Sequence, residues 1–280
     1  MPRWQSYDAV AGAYDRSWHP AFEAIARDLV DLVAPAPYDR VLDVGTGTGV
    51  VAAAAQARVS SEIGVLAGVD PSIPMLQVAR SHVPLKAVAA RSPGLPFPAG
   101  TFDVVVANLV VSHFPRYDDA LADMVRVMRP GGRLGVTAWG VLDDGPVDDT
   151  EQRDLTEIWK ATAVHFLDTD AGAEVVEAAI PGEAFFADPA RVRAALVGTR
   201  LRSVEVHGRV YGRAVSLEDA LAGYETSFWG RYLRHTIGDA EWTRFCDEVA
   251  TAAAAALPDP ITRVDQLLIG VGTKGYETRP

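Results

Sequence analysis

Val41-Leu42-Asp43-Val44-Gly45-Thr46-Gly47-Thr48-Gly49 is the stretch on which the fold turns. Val41 to Val44 is short and apolar apart from Asp43, the pattern of a buried strand. Glycine at alternate positions ends it, and Val50 to Arg58 continues as a helix of small residues. Glycine tolerates positive φ and lets backbone approach a ligand closely. The bare N–H groups opening the next helix suit an anionic group. Three alternating glycines exceed what a plain strand-to-helix turn needs. The dinucleotide fingerprint Gly-x-Gly-x-x-Gly is missed, because the third glycine, Gly49, comes one residue early. That register disfavours a nicotinamide dehydrogenase. Asp70 follows about twenty residues on, where a carboxylate can accept both hydroxyls of a ribose.

Outward from the loop, strand and helix patterns alternate. Gly64 to Val69 reads as a second strand, closed by Asp70-Pro71. Ser72 is positioned to cap a helix over 73–82. Leu85 to Ala89 and Phe102 to Ala107 are further strands. Asp118 to Met128 is an amphipathic helix that Pro130-Gly131-Gly132 stops, and Arg133 to Trp139 is a fifth strand. Such alternation predicts an α/β fold with a mostly parallel sheet and helices on both faces. The second half is helical and aromatic over 146–179 and, as two helices, over 216–256. Strand patterns fall at 204–211 and 267–271. With no repeat and no Gly/Pro/Ser linker, the expectation is a single domain over 1–280. Its core is about 36–140 plus late strands at about 201–212 and 266–273. A cap comes from the helices of 1–34 and insertions at about 146–185 and 216–258.

The chain has 280 residues, 49% hydrophobic and 22% charged, which excludes disorder, collagen-like repeats and coiled coil. Its formal charge of −11 lowers the expectation of nucleic-acid binding, since phosphate repels it. One cysteine, Cys246, permits no intrachain disulfide and has no nucleophile motif around it. No apolar run reaches membrane-helix length and no signal peptide is legible, so the expected location is the cytoplasm, away from membranes. Monomer and homodimer both remain open. Six histidines show no metal-ligand spacing, so no metal is expected. Asp143-Asp144…Asp148-Asp149 reads as an exposed acidic loop.

Several of these segments together resemble the class I S-adenosylmethionine-dependent methyltransferases, in the small-molecule branch with the ubiquinone/menaquinone and natural-product enzymes. They are Val41–Gly49, Asp70, Leu95-Pro96-Phe97-Pro98, Phe102-Asp103 and Arg126-Val127-Met128-Arg129-Pro130-Gly131-Gly132. The resemblance is dense over 5–140 and thin afterwards. It implies a Rossmann-like sheet of seven strands with the last antiparallel, under a helical cap. It implies S-adenosyl-L-methionine as cofactor and methyl transfer to the oxygen or carbon of a small, apolar or aromatic metabolite. Implied cofactor contacts are Tyr14, Asp43, Gly45, Thr46, Gly47, Gly49, Asp70, Pro71, Met75, Arg91, Ser92, Asn108 and Leu109. Among them the glycines would pass under the methionine part, Asp70 would hold the ribose and Met75 would flank the adenine. Tyr14, within Ala-x-Ala-Tyr-Asp, would close over the cofactor. Asn108 and Leu109 would line its methyl end. One departure stands out: Arg91 occupies the position where the family often has an acid near the adenine amino group.

Transfer to a hydroxyl calls for a base. His113, a few residues past the fourth strand, is the leading candidate, and His19 a weaker one. Tyr224, Phe228, Trp229 and Tyr232 at helical spacing, with Trp139, are expected to wall an apolar acceptor pocket. Arg213, Arg231 and Arg234 are candidates to meet an acidic group. A non-methylating cyclase or hydrolase on the same fold is the alternative, and a non-enzymatic assembly protein is disfavoured by the intact loop and Asp70. A nucleic-acid methyltransferase is disfavoured by charge and by Asn108-Leu109-Val110-Val111 standing where a base-handling Asn/Asp-Pro-Pro-Tyr/Phe motif would be.

Overall fold

The computed structural model describes residues 3–60, 64–142 and 149–276. Of the acidic run at 143–149, residues 143–148 lie outside the described residues, while Asp149 is half-buried and pairs with Arg153 at 2.8 Å rather than standing exposed. Seven strands are ordered β3-β2-β1-β4-β5-β7-β6 in one sheet. They are β1 Arg40–Val44, β2 Val65–Asp70, β3 Lys86–Ala89, β4 Phe102–Ala107, β5 Met128–Trp139, β6 Leu201–Val215 and β7 Ile261–Lys274. β1 pairs in parallel with β2 and β4, β2 with β3, and β4 with β5. β7 runs antiparallel to β5, with Arg133 opposite Thr273 and Trp139 opposite Leu267. The central strands are near-continuous apolar runs, with Val41, Leu42, Val104, Val105 and Val106 all buried. Such runs belong to strands covered on both faces.

The helices are α1 Ala11–Val33, α2 Val50–Gln56, α3 Ile73–His82, α4 Tyr117–Val127, α5 Thr150–Ala163, α6 Thr169–Ala179, α7 Glu183–Phe186, α8 Pro189–Gly198, α9 Leu217–Thr226, α10 Phe228–Ile237 and α11 Asp239–Ala256. The chain divides into two compact units. One, the sheet unit, comprises His19–Leu142, Ile180–Arg209 and Gln266–Pro280. Its core packs Leu42, Val105, Met124, Leu134, Phe186 and Leu268 together. The other, the helical unit, comprises Met1–Trp18, Asp143–Ala179 and Val210–Asp265. There Trp159, Leu233, Trp242, Phe245 and Val249 form a buried cluster.

Three expectations change in the structure. Pro130-Gly131-Gly132 does not separate α4 from a strand starting at 133; β5 begins at Met128 and passes through it. The ladder to β4 shifts register between Phe102 and Val104, which accommodates a proline that cannot donate. Residues 216–256 form three helices rather than two, because Ser227 and Gly238 break the run. Ser227 caps α10 by accepting from the Gly230 N–H, and Gly238, at φ 82°, precedes α11. Finally α7 and α8 fill 183–198, a stretch the sequence pattern left unassigned.

Candidate functional site

The loop after β1 is held from below by β2. The N–H groups of Gly45 and Thr46 donate to the Val69 carbonyl at 2.8 and 3.0 Å. Gly45, Gly47 and Gly49 have φ of 70°, 53° and 87°, which side chains rarely adopt. Two of the glycines are also needed for space. A Cβ on Gly45 would lie 2.6 Å from Val110 Cγ2, and one on Gly49 3.0 Å from the Ala79 Cβ of α3.

Two carboxylates face this loop at the carboxyl ends of β1 and β2. Asp43 is 1% exposed. Its Oδ2 accepts from the Thr46 hydroxyl at 2.7 Å, and its buried Oδ1 has no hydrogen-bond partner of good geometry among the described residues. Burial pushes the Asp43 carboxyl up to about 7, and the Asp70 charge adds to this, while Thr46 and the Ala52 backbone oppose it. Asp70 accepts from the Gly47 N–H at 3.0 Å through Oδ2 and from the Ser72 N–H at 2.8 Å through Oδ1. It thereby ties the glycine loop to the start of α3.

Ser72 caps α3 through the Met75 N–H. Met75 itself is 2% exposed, within the core, whereas Ile73 is 58% exposed at the helix start. Pro71 and Arg91 are exposed and Ser92 is buried, its hydroxyl donating to the Ala120 carbonyl. The following turn is fastened by Asp123, whose Oδ2 accepts from the Gly94 and Leu95 N–H groups at 2.7 Å each. Burial opposes ionisation of Asp123, but those N–H groups and Arg126 outweigh it and hold the carboxyl below its usual range.

At the end of β4, Thr137 gathers the next residues. Its hydroxyl donates to Asn108 Oδ1 at 2.6 Å and accepts from the Leu109 N–H at 2.8 Å. Leu109 sits at φ 53°, a conformation that costs a non-glycine residue about 1–2 kcal/mol and that clusters at functional sites. His113 follows on a single 3₁₀ turn, half-buried. His19 lies within α1, its Nδ1 3.3 Å from the Thr48 hydroxyl and its ring stacked 4.3 Å from His82. Trp139 packs near Phe22, 6.2 Å between ring centres.

The sheet unit thus brings together Asp43, the glycine loop, Asp70, Asn108, Leu109 and His19. Sequence reasoning did not single out Val110, Thr137, Asp123, Ile73 or His82. Ile73 was signalled by an apolar residue directly after a capping serine; the others carry no local pattern.

Other expected residues fall in the helical unit. Tyr14 stands in an aromatic run, 5.4 Å from Tyr7 and 6.2 Å from Trp18 between ring centres. A cavity of about 460 Å³ opens there, walled by Trp18, Trp159, Tyr224 and Trp229, with Thr156 and Arg263 among its polar lining. Phe228 and Tyr232 do not line it; both pack against Trp4. Arg234 pairs with Asp239 at the surface, and Arg213 lies 3.7 Å from Asp265. Arg231, 6% exposed, donates to the carbonyls of Ser6 and Ser227 and lies over the rings of Tyr7 and Phe228.

Comparison with known proteins places the chain among methyltransferases. A methyltransferase domain model matches residues 42–136, from β1 into β5. Nocamycin O-methyltransferase of Saccharothrix syringae is 33% identical over 239 residues, 81% of each chain. A demethylmenaquinone methyltransferase of Thermus thermophilus is 36% identical over 115 residues, 39% of this chain and 51% of its own. In fold, the chain resembles phosphoethanolamine N-methyltransferase 2 of Haemonchus contortus, solved with S-adenosyl-L-methionine. That match has a TM-score of 0.56 at 14% identity, over 99% of this chain and 61% of that one. With a third of its residues shared across four fifths of a full-length relative, the chain belongs to the S-adenosylmethionine-dependent methyltransferase family.

Proposed function

We propose that this protein transfers the methyl group of S-adenosyl-L-methionine to oxygen or carbon of a small, largely apolar or aromatic acceptor. The observation that carries the reading is the pairing of a three-glycine loop with two carboxylates, one buried and one bonded to the loop backbone. Asp43 is buried with an unsatisfied oxygen and a pKa near neutrality, so a nearby cation such as an amino acid ammonium would complete it. Asp70, oriented by two N–H donors at the carboxyl end of β2, is the carboxylate that would hold the ribose diol. The backbone of Gly45, Thr46, Gly47 and Gly49 would pass under the chain between these groups. At the adenine end the reading uses Pro71, the Ser92 backbone and the exposed Ile73, with Met75 stiffening α3 from the core. Arg91, exposed, adds no acid there. Asn108 and Leu109 would border the reacting end.

When bound, the cofactor supplies an electrophilic sulfonium methyl; this chain supplies orientation and proton handling. For a hydroxyl acceptor, His113 would take the proton as the methyl–oxygen bond forms, with His19 as the second candidate.

The reading is tested by incubating the purified protein with methyl-labelled S-adenosyl-L-methionine and a set of phenols, naphthols and aromatic acids. Label appearing in an acceptor, with S-adenosyl-L-homocysteine released, is the expected result. An acceptor converted without label would overturn methyl transfer and favour a cyclase or hydrolase on the same fold.

A further inference from the structure

The cavity of the helical unit is built from few and differentiated parts. Its walls are aromatic. Trp159 lies 6.0 Å from Tyr224 at an interplanar angle of 22°, and Trp229 meets Trp159 nearly edge-on at 72°. Trp18 adds a further ring, covered by the Arg263 guanidinium at 4.7 Å. About 460 Å³ lies within the range of pockets that enclose small organic ligands. Aromatic walls favour an aromatic ligand.

The polar groups are directional. The Thr156 hydroxyl donates to the Gln152 carbonyl, so the hydrogen between Thr156 and Tyr224 belongs to the phenol. Tyr224 therefore presents the cavity with an oxygen that accepts. Arg263 does the reverse. Its side chain is 15% exposed; its Nε donates to Asp265 at 3.2 Å, and its two Nη groups make no hydrogen bond to a described residue.

Charge decides what those Nη groups seek. Asp265 is 4% exposed and is the buried carboxylate between Arg263 and Arg213. Arg213 Nε is itself buried without a hydrogen bond of good geometry. Asp219, which also faces Arg213, is exposed and screened by water. Of the other charged lining residues, Lys160 and Asp170 are both exposed and of opposite sign. Of these groups Arg263 lines the aromatic cavity, sharing its buried carboxylate Asp265 with Arg213.

We propose that this cavity binds an aromatic acid, its carboxylate on Arg263, its rings against the walls formed by Trp159, Trp229 and Trp18, and a hydroxyl donating to Tyr224. The site so described lies wholly within the helical unit and selects an aromatic hydroxy acid over a neutral lipid or an amine.

The test uses the full chain and 3-hydroxy-2-naphthoate, followed by quenching of tryptophan fluorescence and by calorimetry. Its amide, 3-hydroxy-2-naphthamide, has the same shape without the charge. The acid should bind at least about tenfold more tightly than the amide, the effect of one charge-assisted hydrogen bond. Arg263→Gln should remove that preference while both ligands still bind. Ala173→Phe, which fills the cavity from α6, should abolish binding of both. Each variant is also titrated with S-adenosyl-L-homocysteine, which reports folding and the cofactor reading separately. Equal affinity for acid and amide would overturn the proposal, as would binding unaffected by Ala173→Phe. Failure of every protein to bind S-adenosyl-L-homocysteine would instead sink the methyltransferase reading and leave the cavity result to stand or fall by itself.

Discussion

At the scale of single residues, Asp43 and Asp70 do different work with the same functional group. Folding lifts Asp43 from 3.8 to about 7. Between those values the unfolded chain has released the proton and the folded chain keeps it, so the folded state binds more protons. Stability therefore falls as the pH climbs from about 4 to about 7 and is level on either side, a loss of roughly 4 kcal/mol at most. Asp43→Asn mimics the protonated form. It should melt well above the parent protein at pH 8, and the two should converge near pH 4; a constant offset across that range would contradict the burial argument. Asp70 couples Gly47 and Ser72 in addition to its proposed ribose role. Asp70→Ala should weaken S-adenosyl-L-homocysteine binding by about 1.5–3 kcal/mol, read by calorimetry, through loss of charge-assisted hydrogen bonds. Unaltered affinity would place the ribose elsewhere.

At the scale of elements, close approach sets what is tolerated. Helices α2 and α3 come together where Gly49 has no side chain. Gly49→Ala forces both a left-handed φ and a contact near 3.0 Å with Ala79, and should cost about 1–3 kcal/mol in thermal unfolding. An unchanged melting temperature would mean that the loop relaxes freely. In the helical unit, Arg231 of α10 holds the N-terminal segment through the Ser6 carbonyl and the Tyr7 ring. Arg231→Ala should release roughly 2–3 kcal/mol of local stability. Hydrogen exchange over residues 4–10 reads this directly; exchange at the parent rate would show that the segment is held by other contacts.

Which elements were legible in the sequence follows from the same physics. Strands β1, β2 and β4 and helix α3 are short, periodic and bounded by glycine, proline or a capping serine, so their ends are written locally. Met128 to Gly132 misleads because a proline and two glycines mark a stop in an isolated chain, while pairing with β4 at Met128 and again from Arg133 spans the stretch. Helices α7 and α8 are short and partly exposed, and their burial of Phe186, Val192 and Leu196 depends on the sheet rather than on their own periodicity.

At the scale of the whole molecule, the parts of the site legible in advance were those one segment dictates: the glycine loop, Asp70, and the Asn108-Leu109 turn. Asp43's electrostatics required knowing that it is buried beside Asp70. The stacking of His19 on His82, with Thr48 within reach, joins three distant positions and has no sequence signature. The cap aromatics were recognisable as a group but not sortable: Tyr224 and Trp229 wall the cavity, whereas Phe228 and Tyr232 pack on Trp4. None of the helices described is long and apolar enough to cross a membrane.

The central claim is that this sheet edge is a site for a sulfonium cofactor and its thioether product. Side-by-side calorimetric titration of the protein with S-adenosyl-L-methionine, S-adenosyl-L-homocysteine and NADH tests it most directly. The account predicts saturable micromolar binding of both sulfur ligands and none of NADH. Binding of NADH alone, or of none of the three, would contradict it.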